Sequence, residues 1–234
     1  MPMFLYDTHV HSAVGSLCAS CSHEELIDEY LSLGFTGIFL TEHFLNGNTA
    51  IPKGLSYKER IGRYGENYYA LKTLAEKRGL SVFFGIEYSY LGTDFLFYGL
   101  SPEWYEKQSE DFPRLDVRRC IAYVKKEGAF VSQAHPFRED FYIDHIRLFP
   151  NAEGVETFNA GRTERCNKLG EFYADAYGKI RTGGSDLHSV RQKVLAGMEF
   201  EEKITSERDF LRLLREGKGR IVVKENKFVQ SVIK

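Results

Sequence analysis

Asp7-Thr8-His9-Val10-His11 follows directly on a short apolar run, Phe4 to Tyr6, and reads as the end of a β-strand. Side chains two apart on a strand point to the same face, so His9 and His11 can present two imidazoles to one metal ion. Alone, the pair is as ordinary as any surface His-x-His. Four further stretches give it weight: Thr41-Glu42-His43, Gly85-Ile86-Glu87, Ala134-His135-Pro136 and Gly184-Ser185-Asp186-Leu187-His188. Each sets a metal-ligating residue type at or just past the end of an apolar, strand-like run.

Between these runs the pattern turns helical. Ser22 and Glu25 form a capping box ahead of Leu26, Ile27, Tyr30, Leu31 and Leu33, and Gly34 is placed to end that helix. Gly37 to Thr41 reads as strand, and the polar stretch from Asn46 to Ser56 as a long loop. That loop's length and its place next to His43 suggest a lid or rim, and a helix from Tyr57 to Arg78 follows it. Ser81 to Ile86 and Phe95 to Leu100 are neighbouring strands, and Trp104 with Tyr105 is a candidate for the site rim. Further helices run from Leu115 to Glu127, from Thr163 to Ala176, and from the Ser206 and Asp209 cap to near Gly217. Strands are expected at Ala129 to Gln133, Gly154 to Thr157, Lys179 to Thr182, Ala196 to Phe200 and Arg220 to Val223. Strand alternating with helix implies parallel strands with right-handed crossovers, and a closed or nearly closed β/α barrel as the natural architecture. Active sites of such barrels lie at the C-terminal strand ends, where His9, His11, His43, Glu87, His135, Asp186 and His188 all fall.

A chain of 234 residues with 43% hydrophobic content can bury one large core, so residues 1–234 are read as a single domain. The formal charge of −2 and the lack of a long basic run give no reason to invoke nucleic acid. No apolar run approaches the roughly 20 residues that span a bilayer, and the N-terminus lacks the basic and apolar regions of a signal peptide. A cytoplasmic location is expected. Cys18, Cys21, Cys120 and Cys166 are too few and too scattered for a disulfide framework. Cys18 and Cys21 form a lone C-x-x-C with no partner pair to complete a structural zinc site, and read as two loop cysteines. There is no G-x-S-x-G elbow, no P-loop and no G-x-G-x-x-G fingerprint, which leaves metal chemistry as the leading theme.

In this order the motifs resemble the PHP family (polymerase and histidinol phosphatase), metal-dependent phosphoesterases on a distorted seven-stranded β/α, TIM-like barrel. The resemblance covers nearly the whole chain. It implies that His9, His11, Glu87 and Asp186 hold one metal, and that Glu87 bridges to a second metal held also by His135. Lining up Tyr98-Gly99 with a family pattern puts Asp94 at a ligand position; a plain turn at Gly92-Thr93-Asp94 explains the same residues. His43 and His188 would belong to a third metal site. That site departs from pattern, because Ser16 and Leu17 stand where an Asp or His is usual, leaving Cys18, Glu42 or water to supply the missing ligand.

The ligand set suits two or three divalent ions, whether zinc, manganese or iron. Two close metals can activate a shared water and clamp the attacking and leaving oxygens at phosphorus, so no protein nucleophile is needed. Glu87 is then the bridging residue, and His43 or His188, if free of metal, a general acid toward the leaving oxygen. Arg162 and Arg138 are candidates for gripping phosphate oxygens. Glu156 and Asn159 match a family Glu-x-x-Asn pattern that holds the loop, and His23 and His145 read as structural or solvent-facing. The expected activity is a phosphatase on a small phosphorylated metabolite, with chemistry like that of histidinol phosphatase. A phosphodiesterase or nuclease would want a basic track, an amidohydrolase a bridging modified lysine where Glu87 stands, and a non-catalytic module would have lost ligands. Substrate and oligomeric state are left open by the sequence.

Overall fold

Short runs of β-branched and aromatic residues form the strands of one mixed sheet in the computed structural model, which describes residues 2–226. The strands are β1 (Phe4–Val10), β2 (Gly37–Leu40), β3 (Ser81–Tyr90), β4 (Thr93–Tyr98), β5 (Phe130–Ala134), β6 (Gly154–Asn159), β7 (Ile180–Gly184), β8 (Val194–Phe200) and β9 (Arg220–Glu225). Their order in the sheet is β7-β6-β5-β4-β3-β2-β1-β8-β9. The helices are α1 (His23–Ser32), α2 (Tyr57–Glu76), α3 (Pro102–Glu106), α4 (Val117–Lys126), α5 (Glu164–Tyr177) and α6 (Glu207–Arg215). No described helix is long and apolar enough to cross a membrane.

The sheet curls until its first strand meets the end of β7. Leu187 N donates to His9 O (3.3 Å) and His11 N donates to Leu187 O (3.1 Å), while Thr8 Oγ1 donates to Gly183 O (3.1 Å). A buried carboxylate completes the seam: Asp7 accepts from Ser185 N (3.0 Å) as well as from Tyr30 OH (2.7 Å). Closure is therefore nearly complete, and it is the residues flanking the His pair that make it.

The parallel expectation holds for β1-β2-β3 and for β5-β6-β7, and fails elsewhere. β4 runs antiparallel to both neighbours because Leu91 (φ 50°) and Gly92 (φ 78°) form a two-residue hairpin, too short for a crossover helix. β8 is antiparallel to β1, since the stretch from residue 185 to 193 contains no helix to carry the chain back across, and β9 pairs antiparallel on β8. The result is a barrel-like sheet of nine strands in place of the seven-stranded parallel barrel.

Two apolar masses hold it. Phe210, Leu213 and Leu214 of α6 pack against Tyr6, Phe39, Phe83, Tyr98 and Phe130, with the Phe39 and Phe210 rings 4.2 Å apart. On the other side Leu26, Ile27 and Tyr30 of α1, Tyr64, Tyr68 and Leu71 of α2, and Ile121 and Val124 of α4 cover Ile38, Leu40, Val82 and Phe84. Both α1 and α2 open with reciprocal capping boxes, Ser22 with Glu25 and Ser56 with Glu59. Tyr105 is buried, with its ring beside those of Phe44 and Phe112, and Trp104 packs on Tyr105, Phe112 and Tyr123, so this pair belongs to the core and not to a rim.

Gly197 in β8 faces the backbone of β1: a Cβ there would fall on the Tyr6 carbonyl oxygen and within 2.8 Å of its carbon. Gly197→Ala is expected to lower stability by about 1–3 kcal/mol, seen as a lower urea midpoint with an unchanged slope. An unshifted midpoint would show that β8 yields without disturbing β1.

Candidate metal centre

The ends of β1, β2, β3, β5 and β7 deliver their side chains to one point, and the centre of that point is Glu87. Its Oε1 lies 3.4 Å from His9 Nε2 and 3.2 Å from His135 Nε2, and its Oε2 lies 3.4 Å from His11 Nε2 and 2.7 Å from His43 Nδ1. Asp186 stands opposite: Oδ1 is 3.4 Å from His9 Nε2, 3.5 Å from His11 Nε2 and 3.4 Å from His188 Nδ1, and Oδ2 is 3.8 Å from His135 Nε2. Two of these residues sit at positive φ without being glycine, His135 (25°) and Asp186 (51°). Such backbone costs on the order of 1–3 kcal/mol each and persists only where the surroundings hold it.

The surroundings do hold it. Glu156 accepts from His135 N (3.0 Å), from Asn159 Nδ2 (2.8 Å) and from His9 Nδ1 (2.9 Å). Asp186 accepts from Asn159 Nδ2 (3.3 Å) and from Arg162 Nη2 (2.8 Å). On the other flank Ser16 Oγ donates to Glu42 Oε2 (2.6 Å) and therefore accepts from His11 Nδ1 (3.1 Å). His188 Nδ1 donates to Asp186 O (2.8 Å). With Nδ1 occupied on His9, His11 and His188, the free lone pair of each ring is on Nε2.

Among the described residues, His9 Nε2, His11 Nε2, His43 Nδ1 and Glu87 Oε2 are buried without a hydrogen-bond partner. Buried polar atoms are rarely left so, and several converging on one another are the arrangement that a cation satisfies. Four overlapping groups each bring ligand atoms within 4.8 Å of one another: His9, His11 and Glu87; His9, His135 and Asp186; Glu87, Asp94 and His135; and His11, His43 and His188. The donor set of imidazoles and carboxylates fits divalent transition ions.

The titration behaviour carries the same message. Burial opposes charge on His9, yet Glu156, Asp186 and Glu87 raise its pKa well above the usual value. Burial likewise opposes charge on His43, which Glu87 and Cys18 nevertheless bring up to about 11. Glu87 and Asp186 fall well below the carboxylate range despite burial, held down chiefly by His43 and His9 and by His9 and His11, respectively. His11 alone goes the other way: burial and His43 push it down to about 3. In the absence of ions, protons on the imidazoles balance the carboxylates; metal ions would displace them.

Arg162 reaches the centre through Asp186, and Arg138 lies beside it, paired with Asp94 (3.0 Å). His145 is half exposed and paired with Asp144. Glu42 is no ligand: it accepts from Ser12, Ser16 and Asn67, and burial raises its pKa. α2 supports the site from behind: its Asn67 Nδ2 donates to Glu42 Oε1 (2.9 Å) while Oδ1 accepts from His23 Nε2 (2.7 Å). Sequence reasoning missed Asn67 and Ser16 in these roles. The signal for Asn67 was present, an amide among Tyr64, Tyr68 and Leu71 on the apolar face of a helix. The C-x-x-C splits: Cys21 is buried in the core, which pushes its thiol up to about 11, whereas Cys18 comes down to about 6 because His188 and His43 outweigh burial.

The PHP_C family model, described as PHP-associated, matches residues 164–218. No curated protein sequence matches the chain. Among solved structures, a two-domain protein from Bacteroides vulgatus containing a "predicted PHP-like metal-dependent phosphoesterase" superposes with TM-score 0.69 at 18% identity, covering 94% of this chain and 65% of that one. The chain thus spans just under two thirds of that relative's length. PsfC from Pseudomonas syringae superposes with TM-score 0.63 at 16% identity, over 100% of this chain and 96% of its own. An amidohydrolase from Chromobacterium violaceum with bound sulfate follows with TM-score 0.52 at 14% identity, over 93% and 97%.

Glu156 touches His9, His135 and Asn159 at once, so Glu156→Gln must turn an amide donor toward a donor. Metal affinity is expected to fall about 10- to 100-fold with the fold retained, measured by metal titration alongside circular dichroism. Affinity equal to the parent's would reduce Glu156 to a backbone prop.

Proposed function

We propose that the chain is a PHP family protein and a metal-dependent phosphatase acting on a small phosphorylated metabolite. The observation that carries this reading is the convergence of buried, unpartnered ligand atoms on Glu87, with two guanidinium groups at its edge. His9, His11, Glu87 and Asp186 would hold one ion, and Glu87, His135 and Asp94 a second. Zinc, manganese or iron all suit these donors. When bound, such ions supply Lewis acidity and activate water for attack at phosphorus.

The chain's own residues do the rest. Arg162, with Nη2 on Asp186 and Nε buried and unpartnered, is poised to fork onto a phosphate oxygen. Arg138 stands behind Asp94 and above the Tyr142 ring, 5.5 Å from its centroid, and offers a second cation to the same anion. His43 and His188 sit nearer the surface than the other imidazoles, their side chains 12% and 29% exposed. Without an ion between them, either imidazolium can protonate a departing oxygen; with one, they are ligands.

A phosphomonoester is favoured over nucleic acid by the formal charge of −2 and the absence of a basic run. An amidohydrolase reading has a structural neighbour in its support, but the bridging place is held by Glu87 instead of a modified lysine. Assay against phosphomonoesters, phosphodiesters and amides separates the three.

Glu87→Gln exchanges an anionic bridge for a neutral amide, so metal content and hydrolysis are both expected to be lost while the fold survives. Full metal content with normal turnover would sink the assignment. Arg162→Ala is expected to raise KM for a phosphomonoester more than Arg162→Lys does, with metal content unchanged. Should both variants keep the parent KM, Arg162 serves Asp186 and not the substrate.

A further inference from the structure

In the turn after the His pair, neither Ser16 nor Leu17 is free to serve as a ligand. Ser16 Oγ is buried and committed to Glu42 and His11, and Leu17 points outward, 69% exposed. The backbone then brings the following residue back over the centre. Ser16 bridges to Thr49, and Leu17 N donates to Asn48 O (3.0 Å) on one side. On the other, Ala19 N donates to Ser16 O (3.1 Å) and Ser20 N donates to His188 O (2.9 Å). Pinned at both ends, the turn holds Cys18 Sγ 3.2 Å from His43 Nε2.

We propose that Cys18 is a thiolate ligand, together with His43 and His188, of a further divalent ion at the mouth of the centre. A zinc ion with Zn–S near 2.3 Å and Zn–N near 2.0–2.1 Å in tetrahedral array sets sulfur and nitrogen about 3.6 Å apart, a small side-chain adjustment from what is seen. The other donors are in place without rearrangement. His43 and His188 each bring one ligand atom within 4.8 Å of the other and of a nitrogen of His11, whose Nε2, fully buried with no partner, serves the inner ion and leaves the fourth place on this one to water. The His11 ring lies 4.5 Å from both the His43 and the His188 ring, which places it between them. Cys21, although three residues on, takes no part, because it is buried in the apolar core. A thiolate is a softer donor than the carboxylate or imidazole it replaces, so this ion is zinc in preference to manganese. The proposal rests on the reading of the centre as metal-binding.

The test uses the whole chain, stripped with chelator and refilled with cobalt(II), comparing the parent, Cys18→Ala, Cys18→Ser and Cys21→Ala. Thiolate bound to cobalt gives a near-ultraviolet charge-transfer band that nitrogen and oxygen donors do not. The band is expected in the parent and in Cys21→Ala, and absent from both Cys18 variants, which should retain one ion fewer after gel filtration. Zinc should also slow alkylation of Cys18 by iodoacetamide about tenfold or more. Cobalt bound in the parent without a Cys18-dependent band, and alkylation indifferent to zinc, would overturn the proposal while leaving the inner metal centre standing. A parent protein that binds no cobalt at all would overturn this and the metal-dependent reading together.

Discussion

The buried Glu87 carboxylate is the constraint to which the rest of the structure answers. Removing an ionised carboxylate from water costs several kcal/mol even after relaxation, and is tolerable only if positive charge surrounds it in good geometry. Here that charge comes from four imidazoles on three separate strand ends, none adjacent to Glu87 in sequence. Bringing them together requires the sheet to curl until β7 meets β1. The seam that achieves this, Asp7 on Ser185 and Thr8 on Gly183, uses residues immediately before His9. Closure of the sheet and assembly of the centre are thus one event, set by the same strand register.

That coupling explains why so much polar structure lies behind the ligands. Glu156 ties β6 to His9 and His135, and the Ser16 and Glu42 pair ties the turn after β1 to α2 through Asn67. Each network is buried and satisfied on its own side and leaves only atoms facing the centre without partners, which confines the unbalanced electrostatics to one place. Ions that bound this arrangement and not the unfolded chain would stabilise the closed sheet by linkage in addition to any chemistry they supported.

Much of this was legible in the sequence, and for a physical reason. Strand ends carry their side chains to known faces by period-two alternation, so a list of His, Glu and Asp at the ends of apolar runs is already a list of candidates for one site. The capping box at Ser22 and Glu25 and the helix from residue 207 were readable in the same local way. What was hidden depended on longer range or on rare backbone. The β3–β4 hairpin turns through Leu91 at positive φ, where the usual Asn-Gly signature is missing, so β4 gave no sign of its direction. Glu42 looks like a ligand by position, and only the three-dimensional pairing with Ser12, Ser16 and Asn67 shows that its charge is spent elsewhere.

The centre is consequently unequal from inside to outside. Its inner half, His9, His11, Glu87, His135, Asp94 and Asp186, is buried and rich in carboxylate, a setting for hard or borderline ions screened from solvent. Its outer half, His43 and His188 beside Cys18, has no carboxylate of its own and opens to water. Ions bound in the two halves would face different desolvation costs and different donor softness, and would differ in affinity and in identity. That asymmetry originates in one turn: with a serine turned inward to Glu42 and a leucine turned outward, the chain after β1 supplies the outer half with a sulfur or with nothing.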